Sequence, residues 1–106
     1  MKYLSWSFIF FITAAAVLVL ALIPNNATLP TTGWDKSNHL IAFGVLAYLG
    51  HKAFSQNTLK LILGLIAFGG LIEVLQTLTP ARFGEWEDLL ADSVGVLLGL
   101  LLAKRF

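Results

Sequence analysis

Four stretches of this chain are apolar over roughly the length of a bilayer-crossing helix, and three of them carry ionisable side chains about one to two turns inside. The buried positions are His39, Glu73 and Asp92, and the pattern places them near the same face of the bilayer. A charge left facing lipid at such a position costs about 3 kcal/mol, so an unpaired one is a poor default. Residues of this kind at one depth on three separate helices predict a single shared polar site. The function is expected there.

Composition supports a membrane setting. The chain has 106 residues, 58% of them hydrophobic and 12% charged, which suits one small domain. Its mean hydropathy of +0.82 is too high for a water-soluble fold of this size, because its helices would be hydrophobic all round. A net charge of +1 gives no basis for nucleic-acid binding. With no cysteine, disulfides, thiol catalysis and cysteine metal sites are excluded.

Lys2 followed by an apolar run has the look of a signal peptide, with Ala27 as a poor cleavage site. The run from Leu4 to Ile23 is longer than a typical signal core, however, and reads as a retained first helix. The expected helices are about 4–23, 36–54, 59–78 and 88–103. Pro24-Asn25-Asn26 ends the first; Pro30 and Gly33, Gln56-Asn57, and Pro80 with Gly84 mark the loops. Every connection is short, so neighbouring helices should be antiparallel. The expected fold is an all-α membrane protein, a bundle of four transmembrane helices.

Orientation follows from the basic residues. Lys2, Lys52, Lys60, Lys104 and Arg105 fall on one side, Lys36 and Arg82 on the other. The positive-inside rule then puts both termini in the cytoplasm. Trp34 and Trp86, at the outward helix entries, suit an interfacial aromatic belt. Asp35 precedes His39 by four residues and Asp88 precedes Asp92 by four, each pair opening an even-numbered helix after a tryptophan. That echo suggests a worn parallel repeat.

Glu73 carries the strongest signal. A glutamate is too short to snorkel well, and the end of its helix is a C-terminus, whose dipole disfavours negative charge. It needs a proton or a partner, with His39, Lys36 and Arg82 the candidates. Gln76, one turn on, is either polar glue between helices or a substrate contact. His39 is either a satisfied structural histidine or a proton shuttle; His51 reads as an interface residue. Asp35 and Asp88 suit helix N-caps. Asp92, a full turn inside, calls for a basic partner such as Arg82 or Lys36. Arg82 either clasps Glu73 or Asp92, or binds a phosphate or carboxylate. Gly95 and Gly99 form a G-x-x-x-G packing surface, within one chain or between chains, and Gly64, Gly69 and Gly70 offer the same on the third helix.

His39, Glu73, Asp88 and Asp92 have the donor atoms for a divalent metal, but no H-E-x-x-H-type spacing accompanies them. No metal or cofactor is expected, and there is neither a phosphate-binding glycine loop nor a nucleophile elbow.

Asp35-Lys36-x-x-His39, Glu73-x-x-Gln76, Arg82, and Asp88-x-x-x-Asp92 followed by Gly95 and Gly99 resemble the VanZ-like family of small membrane proteins. The matching elements cover about two-thirds of the chain. Family members usually have asparagine at the place of Asp92; the departure keeps a hydrogen-bonding role and leaves the charge of the site open. The resemblance implies a single VanZ-like domain over residues 1–106, multi-pass in the bacterial inner membrane. It also implies a link to the cell envelope, since the family is named for a member connected with teicoplanin resistance.

Together these readings give an outward polar pocket between the second, third and fourth helices, built from Asp35, Lys36, His39, Glu73, Gln76, Arg82, Asp88 and Asp92. Lys36 and Arg82 would meet an anionic lipid headgroup, a lipid-linked cell-wall precursor or an acyl-bearing glycopeptide. Two alternatives stay open. In one, an enzyme acts on a lipid or polyprenyl-linked substrate, with Glu73 as acid or base and His39 as its proton partner. In the other, the chain is a scaffold whose polar cluster only locks the helices. Whether it forms a homodimer is likewise left open.

Overall fold

The computed structural model describes residues 5–22, 36–78 and 86–106. These residues form four α-helices: α1 (Trp6–Leu22), α2 (Lys36–Ala53), α3 (Thr58–Leu78) and α4 (Trp86–Arg105). A 3-10 turn, Ser55–Asn57, joins α2 to α3, and no strand occurs among the described residues. The fold is all-helical. Helix α4 starts two residues before the expected Asp88 and runs two beyond Ala103, while α3 starts one residue before Leu59.

The α2–α3 connection shows how little chain a reversal needs. The amide of Phe54 donates to the Gly50 carbonyl (2.7 Å) and that of Asn57 to the Phe54 carbonyl (2.9 Å). The Thr58 hydroxyl donates to the Ser55 carbonyl at 3.3 Å, so Ser-Gln-Asn turns the chain in a single 3-10 step.

Helix directions follow from which residues meet. A Cβ on Gly95 would strike the Leu40 carbonyl, and one on Gly99 would strike the Gly44 carbonyl. Numbers therefore rise together along α2 and α4, which run parallel. Helix α1 meets the start of α3 around Phe10 and Leu61 and its end through Ala21 and Gln76, so these two are parallel as well. Successive helices thus alternate in direction.

Small residues bring α2 and α4 together, and theirs is the most extensive helix interface among the described residues. With hydrogen for a side chain, Gly44, Gly95 and Gly99 let the two backbones touch. The G-x-x-x-G surface therefore serves contact within the chain. Gly64 and Gly70 do not share that role, because a Cβ on either would meet nothing within 4 Å. Both face open space, Gly64 on the groove between α1 and α3.

Polarity is arranged inside out. His39, Glu73, Gln76, Asp88 and Asp92 are buried beside Phe43, Leu46 and Ile72. Large apolar side chains line the outer surface of every helix, among them Phe11, Ile41, Leu63 and Leu101. By length and composition, one helical stretch is suited to cross a bilayer among the described residues: Ser55–Leu78. Helix α1 is apolar but shorter. In α2 and α4 the charged and polar ends, Lys36, His51 and Lys52 in one and Glu87, Asp88, Lys104 and Arg105 in the other, shorten the apolar run.

Candidate functional site

Helices α2, α3 and α4 each bring a titratable side chain to one buried locus. His39 lies one turn into α2, Asp92 almost two turns into α4, and Glu73 five residues before the end of α3. Because α3 runs against the other two, a position near its C-terminus lies level with positions near their N-termini. A nitrogen of His39 and a carboxylate oxygen each from Glu73 and Asp92 lie within 4.8 Å of one another. None of the three is more than 2% exposed.

The tightest link is between His39 and Asp92. Nδ1 of His39 and Oδ1 of Asp92 are hydrogen-bonded at 2.8 Å, which orients the ring and turns Nε2 the other way. On that side Oδ2 of Asp88 lies 3.6 Å from Nε2. The imidazole is thus held between two carboxylates one turn apart on α4, the face that i, i+4 spacing predicts. Asp88 does not sit at the helix cap, because α4 already begins at Trp86. It occupies the first turn, where the helix dipole favours an acid, and its side chain is buried towards His39.

Asp92 reaches this position through a notch in α3. An ideal Cβ on Gly69 would lie 2.6 Å from its Oδ2. The carboxylate occupies the volume that any larger residue at 69 would claim. Oδ2 itself has no hydrogen-bond partner among the described residues.

Gln76 shares the face of Glu73 but turns towards α1. Its side-chain Nε2 donates to the Ala21 carbonyl at 2.8 Å. Ala21 lies one residue before the end of α1. Gln76 therefore ties α1 to α3, as polar glue would.

Asp35 and Arg82 lie outside the described residues. Lys36 opens α2, but its side chain is likewise outside them. Their expected contacts with Glu73 and Asp92 accordingly do not enter the geometry. Among the described residues, His39, Glu73 and Asp92 form a group that could hold a small cation, supplying one nitrogen and two carboxylate oxygens. Two residues that shape the locus escaped the sequence reading. Gly44 was not singled out, although a glycine inside an apolar helix is itself a sign of close backbone approach. Gly69 was grouped with the packing glycines, when what it accommodates is a carboxylate.

The sequence profile of VanZ/LLP1 matches residues 2–106, essentially the whole chain. This chain belongs to the VanZ/LLP1 family. No curated protein and no solved structure matches it. Membership covers all four helices, so the buried His39–Glu73–Asp92 locus lies within the part of this VanZ/LLP1 protein that carries the likeness. The family is generally membrane-associated, in keeping with the Ser55–Leu78 stretch.

Proposed function

We propose that this VanZ/LLP1 protein is a four-span protein of the bacterial inner membrane, with both termini cytoplasmic. A polar site on its outward side receives the anionic headgroup of a lipid, a lipid-linked cell-wall precursor or a glycopeptide. The observation that carries this reading is the convergence of His39, Glu73 and Asp92 from three helices onto one buried locus. Protein of this size rarely buries so many titratable groups without a use for them, and in lipid the cost of doing so is higher still.

Support for four spans comes from the reversed polarity. Apolar side chains cover the outside of all four helices, including α2 and α4, whose charged ends would sit in the headgroup layers. Lys52, Lys60, Lys104 and Arg105 lie towards the end away from His39 and Asp92, and the positive-inside rule supports a cytoplasmic side for that end. Lys36 and Arg82 are the residues to meet the anion, and His39, Glu73 and Asp92 hold the site and set its charge.

One observation favours the enzyme reading as runner-up. His39 is oriented by Asp92 through Nδ1, the arrangement in which a carboxylate aligns an imidazole for proton transfer. Glu73 would then be the acid or base, acting on a lipid or polyprenyl-linked substrate.

The test is sensitivity to envelope stress, teicoplanin included, in cells carrying wild type or Glu73→Gln at matched membrane abundance. Loss of protection at normal abundance is the expected result. Equal protection would remove Glu73 from the function. A variant that never reaches matched abundance would assign the cluster to scaffolding.

A further inference from the structure

A second site lies at the opposite end of the molecule. Between α1 and α3 runs a groove of about 510 Å³, walled by Phe10, Phe11, Phe54 and Phe68. Phe10, Phe11 and Phe54 are set edge to face, with Phe10 and Phe54 centroids 5.7 Å apart and Phe11 and Phe54 6.2 Å apart. Gly64 lies along the α3 wall, and a Cβ there would meet nothing within 4 Å, so the groove is open at its middle. Its lining is otherwise almost wholly apolar; of its polar members, Asn57 closes the 3-10 turn and Lys60 lies in the first turn of α3.

Lys60 gives the groove a direction. It is exposed and has no acidic partner among the described residues. The nearby Lys52 differs, since its Nζ donates to the Ala103 carbonyl at 3.5 Å and lies 5.4 Å from the centre of the Tyr48 ring. The groove therefore joins one uncompensated cation to an aromatic trough. From Lys60 to Phe68 the helix rises about 12 Å, close to the ~15 Å hydrocarbon depth of one leaflet.

We infer that this groove binds one anionic phospholipid of the cytoplasmic leaflet, with its phosphate at Lys60 and an acyl chain lying along the aromatic walls to Phe68. Charge selects the headgroup, and the trough holds one chain. The inference rests on the membrane-spanning reading, but it shares no residue with the outward site and stands or falls apart from it.

Native mass spectrometry of the purified protein in mild detergent tests it, with phosphatidylglycerol and phosphatidylcholine of identical chains as probes. Wild type should retain one phosphatidylglycerol about fivefold more tightly than phosphatidylcholine. Lys60→Ala should remove that preference, whereas Lys104→Ala should leave it intact. Gly64→Phe should fill the trough and release both lipids. Ala14→Leu, from the α1 wall, should weaken both in the same way should the first variant fold poorly. Equal retention of the two lipids by wild type would overturn the inference, as would normal retention by both trough variants. Loss of the preference in Lys104→Ala but not in Lys60→Ala would also overturn it. A chain that does not insert in membranes would overturn both this and the four-span reading; an inserted chain without the preference overturns this alone.

Discussion

Nδ1 of His39 and Oδ1 of Asp92 lie 2.8 Å apart across the α2–α4 interface, and both residues are buried. The bond needs an acceptor at 92, which an amide oxygen also provides. Asp92→Asn should therefore unfold within about 1 kcal/mol of wild type in mixed micelles. Asp92→Leu deprives a buried imidazole of its partner and should cost about 3 kcal/mol. Equal costs for the two would mean that the negative charge, not the acceptor, maintains the contact.

The glycines divide into two groups with opposite expectations. Gly99→Ala drives a methyl into the Gly44 carbonyl, and α2 and α4 must separate to admit it. That should cost about 2 kcal/mol, in the range of overpacking a tight interface. Gly64→Ala and Gly70→Ala add a methyl to open space and raise helix propensity. They should be neutral or stabilising by up to about 1 kcal/mol. Unfolding in graded SDS compares all three, and a destabilising Gly70→Ala would point to a partner helix against α3.

Gly69 and Asp92 should behave as a coupled pair. The Cβ of Gly69→Ala would sit 2.6 Å from Oδ2 of Asp92 and push the carboxylate off His39. The single variant should lose stability, and Asp92→Ser, with a shorter side chain, should recover part of the loss in the double variant. A double-mutant cycle with a coupling of about 1 kcal/mol or more is expected. Strict additivity would mean that the notch does not constrain the carboxylate.

Much of this arrangement was legible in the order of residues. Four helices, and the gathering of His39, Glu73 and Asp92, follow from where polar residues interrupt apolar runs. Spacing of four put Asp88 and Asp92 on one face, and the fold keeps them there on either side of His39. Harder to read was what each polar group would choose. An aspartate near a helix start can cap it or turn inward, and only the two extra residues before Asp88 decide the matter. Gln76 shares the face of Glu73 by pattern, and its donation to the Ala21 carbonyl depends on how α1 packs against α3. Pattern also could not separate glycines that touch a backbone from those that face outward. That distinction depends on helix rotation, which leaves no mark in composition.

Gln76 offers the sharpest test of how α1 is held. Its amide nitrogen donates at 2.8 Å to the Ala21 carbonyl, at the negative end of the α1 dipole. Gln76→Leu removes the donor and should cost about 1 kcal/mol. Gln76→Glu is nearly the same shape but sets a carboxylate against that carbonyl and adds a buried charge, so its cost should be higher, about 2–3 kcal/mol. The pair can be compared by unfolding in mixed micelles and by thiol labelling of Val17→Cys on α1, a buried position that becomes reactive when the helix detaches. Labelling should rise in the order wild type, Gln76→Leu, Gln76→Glu. If the glutamate variant instead labels like wild type, the donor is dispensable and α1 is held by its apolar contacts alone.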